Sequence, residues 1–464
     1  MPPASMAQRL IWREAFICPP KGILPTAGKN KLSGNRTDGV KSTNLVYYVT
    51  ELCMSRIAVL GAGITGVTTA YALLKRGYQV TVIDRQRYPA METSFANGGQ
   101  LSACNAEVWN NLGTMFKGLR WMLRKDAPLL FSPKPSWHKY SWIAEFMRHI
   151  PDYQRNTIAT ARLAIAAREH LFQWARDEKI DFDLEERGIL HIYQSQEGFE
   201  AGKKVSQLLA QAGLERNVVT PAEISTIEPC LTGQYYGGFY TPSDATGDIH
   251  KFTRGLAAAC RRLGAQFIFD ADIQNITAHQ DQHLIHYQST LDEEQQGTLR
   301  ADKIVVCAGV GSRTLGRLLG DRLNIYPVKG YSITVHLDDE QSQAAAPWVS
   351  LLDEEAKIVT SRLGVGRLRI AGTAEYNGYN KDIRADRIEP LIRWCRQHFR
   401  ATGTYRVEPW AGLRPMMPDM MPRIQKGRRP GVFYNTGHGH LGWTLSAITA
   451  EMVSDLIVNA EQAN

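Results

Sequence analysis

The sequence predicts an α/β protein in which a parallel-sheet domain, assembled from separated segments, is interleaved with an α+β domain. Three observations carry this. The apolar run Arg56-Ile-Ala-Val-Leu60 leads straight into glycines and then a helical pattern. A second run with a glycine turn, Lys303-Ile-Val-Val-Cys-Ala-Gly309, lies far downstream, and a third, Gly431-Val-Phe-Tyr-Asn435, precedes the last helix. Short runs that are apolar on both faces are the pattern of buried parallel strands.

The elements follow in order. Ile64, Val67, Tyr71 and Leu74 recur at helical spacing, and Lys75-Arg76-Gly77 ends that helix with a basic last turn and a glycine stop. Gln79 to Asp84 is the second strand, completing a strand–helix–strand unit. Residues 94–105, rich in Ser, Asn and Gly, form a loop. Helical patterns run from 151 to 180 and from 197 to 213, with a strand region at Leu184–Tyr193 between them. His250–Leu263 reads as a helix, Ala265–Phe269 as a strand, and the alternating stretch Ile273–Leu299 as a meander. Further strands are expected at 331–336, 357–361 and 367–371, then a helix near 386–400. No internal repeat is visible.

A chain of 464 residues exceeds one core and suits two domains. Its apolar share of 44% and charged share of 22% are those of an ordinary globular protein. The net charge is +8, but seven basic against three acidic residues before Met54 hold +4 of it. The remainder is only mildly basic, which argues against nucleic acid as a partner. The first 53 residues carry no periodic pattern. Met54 stands directly before the first strand, so they read as a disordered leader or an upstream-translated start, with a transit peptide as the alternative. Seven scattered cysteines without C-x-x-C spacing suggest reduced thiols and no zinc site. No run of 18 apolar residues predicts a membrane-spanning helix.

The chemistry is signalled first by Gly61-Ala62-Gly63-Ile64-Thr65-Gly66. In such a turn the first glycine permits the tight bend, the second admits a pyrophosphate, and the third lets the helix approach the sheet. The helix N-terminus then faces the phosphates. Asp84, followed by Arg85, ends the second strand where a carboxylate can accept from a ribose hydroxyl. This fingerprint alone does not separate FAD from a nicotinamide cofactor. A second glycine-rich strand-to-helix turn, Thr436-Gly-His-Gly-His-Leu-Gly-Trp443, favours FAD. Backbone N–H groups at a helix start stabilise negative charge at one edge of a flavin. Asp244, Asp248 and His250 resemble a metal cluster, but their place before a helix favours capping, with Asp248 as N-cap and no metal.

With these motifs the chain resembles D-amino-acid dehydrogenases, within the wider group of flavin amine oxidoreductases that includes D-amino-acid oxidase and glycine oxidase. The resemblance runs from Met54 to the C-terminal helix. It rests on Ile57–Gly66, Ser94-Phe-Ala-Asn-Gly-Gly-Gln100, Pro327-Val-Lys-Gly-Tyr-Ser332, Trp410-Ala-Gly-Leu-Arg-Pro415 and Thr436–Trp443. It implies a Rossmann-like FAD-binding domain (54–100, 243–316 and 405–464) interleaved with an α+β substrate domain (101–242 and 317–404). It also implies that Gly61 to Gly66, Asp84 and Arg85 hold the ADP part of FAD, and that Ser94, Asn97, Gly98 and Gln100 line the flavin. Ile273 would meet adenine through its backbone, and Ala308 and Gly309 would turn beneath the cofactor. Gly437, Gly439, Leu441, Gly442 and Trp443 would meet the flavin pyrimidine end.

The implied catalytic set is Arg414 for the substrate carboxylate, Tyr331 as a second contact and His438 beside the flavin; His440 reads as structural. A guanidinium fork matches a carboxylate bidentately, which supports Arg414; the alternative is a structural salt bridge. For Tyr331 the alternative is plain packing. The implied reaction is oxidation of a D-amino acid to a 2-oxo acid and ammonia, with electrons passed to a quinone or other acceptor. An O₂-using amine oxidase, a nicotinamide-dependent dehydrogenase and a non-catalytic flavin-binding subunit remain alternatives. The chain departs from the family at Met416-Met-Pro-Asp-Met-Met-Pro422, where bulky methionines replace small residues near the expected site. Between Lys117 and Arg148, seven basic residues interleave with tryptophan and leucine. Ordinary helices with solvated basic faces explain this. A peripheral contact at the inner face of the plasma membrane, for an otherwise cytoplasmic protein, is the alternative.

Overall fold

Parallel strands buried on both faces need helices to cover them, and the arrangement follows from that. In the computed structural model, which describes residues 55–111, 113 and 129–463, a six-stranded sheet runs in the order Arg423–Lys426, Val432–Thr436, Lys303–Val306, Arg56–Leu60, Gln79–Ile83, Gln266–Ile268. All neighbours pair in parallel except Arg423–Lys426, which is antiparallel. The expectations for the leader before residue 54 lie outside the described residues. The three runs that announced the fold sit side by side in this sheet, as apolar sequence on both faces requires.

The helices Ile64–Lys75 and Ile249–Arg262 pack together, and the C-terminal helix Gly442–Gln462 packs on Ile64–Lys75 and on Tyr153–Asp177. Ile57, Val59, Val67, Tyr71, Phe252 and Val453 share one buried cluster there. The C-terminal helix is long and apolar enough to cross a membrane by length and composition, yet mostly buried against this core. Its apolar character is explained by that packing. On the sheet's other face lies the meander Ala271–His279, Gln282–Ser289 and Gln296–Ala301, with Ile276 and Ile285 buried against Leu60 and Val306.

A second, nine-stranded sheet has Val407–Met416 at its edge, then Tyr326–His336, Arg367–Tyr376, Ile358–Arg362, Ser350–Asp353, Ile189–Tyr193, Gly237–Thr241 and Asn217–Val219; Leu129–Phe131 also pairs with Arg367–Tyr376. The strand Val407–Met416 did not show in the sequence, because Pro409, Gly412 and Pro415 interrupt the pattern. Its edge position explains the tolerance, since proline cannot donate to a ladder on both sides. This strand falls inside the segment assigned by resemblance to the cofactor domain from residue 405, yet it pairs along its length with Tyr326–His336. The chain therefore crosses between the two sheets after Met416, not before Val407. Helix Ala385–His398 covers the far face of this sheet, burying Ile333, Ile370, Leu391 and Trp394.

Candidate active site

Each glycine of the first turn has a different physical warrant. A Cβ on Gly66 would lie 1.8 Å from the Gly61 carbonyl oxygen, and one on Gly61, whose φ is +114°, would lie 2.7 Å from the Cys307 carbonyl. Both glycines are demanded by neighbouring backbone. A Cβ on Gly63 would meet nothing closer than Ser94 Oγ at 3.5 Å. The chain itself does not require glycine there, so the free space lies on the cavity side, where a ligand would approach.

The turn opens onto a cavity of about 2650 Å³ that runs between the two sheets. That exceeds the ~300–1,000 Å³ of a pocket for one small molecule and suits a long dinucleotide with a second ligand. Gly61, Gly63, Ile64, Thr65, Asp84, Arg85, Ser94, Asn97, Gly98 and Gln100 line it. So do Ile273, Ala308, Gly309, Gly437, His438, Gly439, Gly442 and Trp443. Ala62, Gly66 and Leu441 lie behind the wall instead. Ala62 N–H donates to Asp84 Oδ2 at 2.6 Å, and Leu441 is buried in the core.

Two helices start at this cavity, at Ile64 and at Gly442. Neither N-cap residue, Gly63 or Leu441, supplies a capping side chain, and neither first turn holds an acid. The positive ends of both helices are thus left for an anionic or electron-rich ligand. Ser94 Oγ accepts the Ile64 N–H at 3.0 Å and ties the loop to the first helix. Among the described residues the buried Trp443 indole N–H has no partner. These features fit FAD. Asp84 spends its carboxylate largely within the protein, accepting from Ala62 N and from Gln86 N at 2.8 Å; burial pushes its pKa up. Arg85 pairs with Glu92 at 2.9 Å.

The loop Ala96–Gly99 lies flat on the second sheet. Its four successive carbonyls accept from Ser332 Oγ (2.7 Å), Arg369 Nη1 (3.1 Å), Ser361 Oγ (2.7 Å) and Gly247 N (2.9 Å). Asn97 Oδ1 accepts from Gly99 N, and Gln100 Nε2 donates to Ser350 Oγ at 2.8 Å. These side chains brace the loop, leaving its other face to the cavity.

Arg414 and Tyr331 end on opposite faces of this sheet. Gly330 pairs with Gly412 across neighbouring strands. Together they form a trough on the cavity side in which the Arg414 guanidinium lies over Gly330 and the Trp410 ring over Gly412. Arg414 Nη1 donates to the Thr373 carbonyl at 2.9 Å. Among the described residues it has no carboxylate partner. Burial lowers its pKa to about 10, still a cation at neutral pH. It is a desolvated charge facing the cavity, an arrangement stabilised by an incoming anion.

Tyr331 borders the cavity through its backbone, but its side chain does not enter the trough. Strand alternation turns its side chain to the far face, 1% exposed among Ile333, Ile370 and Leu391, with its hydroxyl donating to Glu375 Oε2 at 2.7 Å. Glu375 in turn pairs with the buried Lys329 at 3.3 Å. The tyrosine that does reach the cavity beside Arg414 is Tyr376. Its ring is stacked on Phe131 at 4.4 Å and packs on Tyr326 and Trp142. Among the described residues its hydroxyl has no hydrogen-bond partner. No motif marks Tyr376 in the sequence; only the strand register reveals it.

His438 is buried, with Nε2 3.0 Å from Thr449 Oγ1, and burial lowers its pKa to about 3. Thr449 donates onward to the Ser446 carbonyl, so the imidazole donates to Thr449. Burial favours its neutral form, and it borders the cavity. His440 borders the cavity, with Nε2 3.1 Å from the Asn105 carbonyl and its ring stacked on Trp109 at 5.0 Å. Asp248 caps its helix, accepting from His250 N and Lys251 N.

The methionines do not narrow the cavity. Met416 and Met417 pack behind the second glycine turn, where a Cβ on Gly437 would lie 2.6 Å from Met417 Cγ and one on Gly439 3.0 Å from Met416 Sδ. They fill core space, and neither lines the site.

Comparison with known proteins places the chain in a family and a fold. The chain is 60% identical over 404 residues to a protein of Mesorhizobium japonicum named D-amino acid dehydrogenase 3, covering 87% of this chain and 97% of that one. It is 41% identical over 413 residues to a D-amino acid dehydrogenase of Paramagnetospirillum magneticum, covering 87% and 94%. The fold is shared with glycine oxidase from Geobacillus kaustophilus (TM-score 0.67, 19% identity, 88% and 95% covered). It is shared equally with L-proline dehydrogenase from P. horikoshii (TM-score 0.67, 16% identity, 88% and 94% covered). Residues 56–456 match the model of the FAD dependent oxidoreductases, and the chain belongs to that family.

Proposed function

We propose that this protein oxidises D-amino acids to imino acids, which water hydrolyses to 2-oxo acids and ammonia. The observation that carries the reading is Arg414: a buried cation on the cavity wall, held by a carbonyl and lacking a carboxylate among the described residues. The names of the relatives support the D-amino acid class. Arg414 binds the substrate carboxylate through its outer edge, and the Tyr376 hydroxyl shares it. Trp410, lying in the same trough, closes one side of the site. Gly61–Gly66 and Asp84 hold the ADP portion of the cofactor, the Ser94–Gln100 loop and Ala308–Gly309 flank it, and Gly437–Trp443 meets its ring. In domain terms the first sheet is the cofactor domain and the second the substrate domain, with the crossing after Met416.

Bound FAD supplies a two-electron acceptor for the substrate Cα–H. The protein's contribution is positioning: carboxylate fixed, Cα oriented, water excluded by the Tyr376–Phe131–Trp142 stack. A neutral substrate amine needs no dedicated base. Electrons pass on to a quinone or another acceptor. Purified protein assayed with D-alanine under O₂, with and without a quinone analogue, tests this. Turnover that depends on the quinone supports the dehydrogenase reading, and equal turnover on O₂ alone replaces it with an oxidase.

A membrane-side acceptor is supported by the helix Trp137–Arg148. It exposes Trp137 (85%), Tyr140 (51%) and Met147 (43%), with Ala144, along one side. This is a face suited to peripheral contact with a lipid surface at the inner side of the plasma membrane. Lys139, counted among the basic residues, is not available to it, since its ammonium is buried on the Ser132 and Lys134 carbonyls. Lys117, Arg120, Arg124 and Lys125 lie outside the described residues. Flotation with anionic liposomes, comparing wild type with Trp137→Ser/Met147→Ser, checks the contact; equal flotation removes it.

A further inference from the structure

We infer that Gly330 and Thr373 are positioning residues: together they form a strained seat that holds the Arg414 guanidinium flat on the cavity wall with its outer edge free for a carboxylate. The inference deepens the proposed function and rests on its reading of Arg414.

The seat is built from a break in the ladder. Tyr326–His336 pairs with Arg367–Tyr376 in register, Lys329 with Glu375 and Tyr331 with Gly372. Between those pairs one residue, Gly330, faces two, Thr373 and Ala374: a β-bulge. Bulges turn a carbonyl out of the ladder and re-aim what binds to it. Here the Thr373 carbonyl is the one that accepts from Arg414 Nη1 at 2.9 Å. Thr373 has φ +63°, a left-handed conformation that a β-branched residue adopts only when its surroundings force it. Its hydroxyl is buried without a partner among the described residues, and Thr373 itself lines the cavity. Strain and an orphaned hydroxyl are both tolerated at the residue whose carbonyl fixes the arginine.

Gly330 supplies the floor. A Cβ there would lie 2.5 Å from Cζ, Nη1 and Nη2 of Arg414 alike. Three equal distances place that Cβ above the guanidinium plane, over its Nη1–Nη2 end. The Gly330 backbone shows no left-handed φ, so alanine suits the chain itself. The atoms that must yield are the far end of a flexible side chain. Alanine at 330 therefore lifts the guanidinium off its seat rather than disrupting the fold.

The test uses the oxidised holoenzyme and three variants, Gly330→Ala, Thr373→Gly and Arg414→Lys. Pyruvate, a 2-oxo acid carboxylate, is titrated in by calorimetry, and Tm is measured alongside. A displacement of the order of an ångström changes an oriented interaction severely. Gly330→Ala is expected to raise the Kd about tenfold, and to raise KM for the amino acid more than it lowers kcat. Thr373→Gly releases the strained φ, so Tm rises while Kd rises about threefold, two effects of opposite sign that a merely structural residue would not give. Wild-type Kd in both variants, with binding lost in Arg414→Lys, overturns the seat and leaves the function reading standing. A lower Tm in Thr373→Gly overturns the strain. Unchanged affinity in Arg414→Lys overturns the reading of Arg414 itself.

Discussion

The turn at Gly61–Gly66 and the trough at Gly330 and Gly412 both use glycine to admit a neighbour, but the neighbours differ in kind. In the turn they are backbone: the Gly61 and Cys307 carbonyls. In the trough they are the ends of side chains, Arg414 over Gly330 and Trp410 over Gly412. Backbone cannot retreat, so the first site breaks when altered, whereas the second deforms. On the proposed function, the wall that would hold the cofactor is rigid and all-or-none, and the wall that would meet the substrate is tunable.

The largest expected effect breaks the rigid side. Gly66→Ala puts a methyl 1.8 Å from a carbonyl oxygen, and the protein is expected to purify without flavin absorbance or not to fold. Arg414→Ala is expected to keep its flavin spectrum while kcat/KM falls about 10²–10³-fold, the consequence of removing one partner of a buried charge pair worth ~3–5 kcal/mol. A full flavin spectrum in Gly66→Ala, or bleached flavin in Arg414→Ala, would reverse the contrast between the walls.

The same difference explains what could be read in the sequence. Gly61, Gly63 and Gly66 are fixed in spacing because one turn of backbone sets them, and the glycines at 437, 439 and 442 likewise. The substrate wall has no such local rule. Gly330, Thr373, Tyr376 and Arg414 come from three strands, and a bulge shifts their register. One residue of shift moves a side chain to the other face. That is how Tyr331, adjacent to a motif glycine, falls on the wrong side while the unmarked Tyr376 falls on the right one. The strand Val407–Met416 was hidden for a related reason: its prolines and glycine are legible only once it is known to be an edge.

Tyr376 and Tyr331 differ in the same way on a smaller scale. Tyr376→Phe is expected to raise KM about tenfold with little change in Tm, the loss of one hydrogen bond to a charged group. Tyr331→Phe is expected to leave KM unchanged and lower stability by about 1 kcal/mol, measured by denaturant unfolding, because it removes only the bond to Glu375. The reverse pattern would return Tyr331 to the site.

The smallest effect concerns pH. His438 and His440 have folded pKa values lowered to about 3 and about 4 by burial, below an unfolded value near ~6.5. Their contribution to stability is complete above that unfolded value. It is lost as pH falls through the window toward 4 and 3, since the unfolded chain takes up protons the folded one refuses. Tm of the holoenzyme should fall between pH 7 and pH 5, and His440→Asn should make the fall shallower by up to one proton. An equal slope would mean that His440 is not held neutral.

On the proposed function the cavity oxidises D-amino acids at a flavin, with Arg414 as the carboxylate ligand. Anaerobic mixing of the purified holoenzyme with matched D- and L-alanine, followed by the flavin absorbance, tests it most directly. The D-isomer is expected to bleach the flavin and the L-isomer to leave it oxidised, with bleaching slowed at least about a hundredfold in Arg414→Ala. Bleaching by the L-isomer alone, by neither isomer across a panel of D-amino acids, or at an unchanged rate in Arg414→Ala would contradict it.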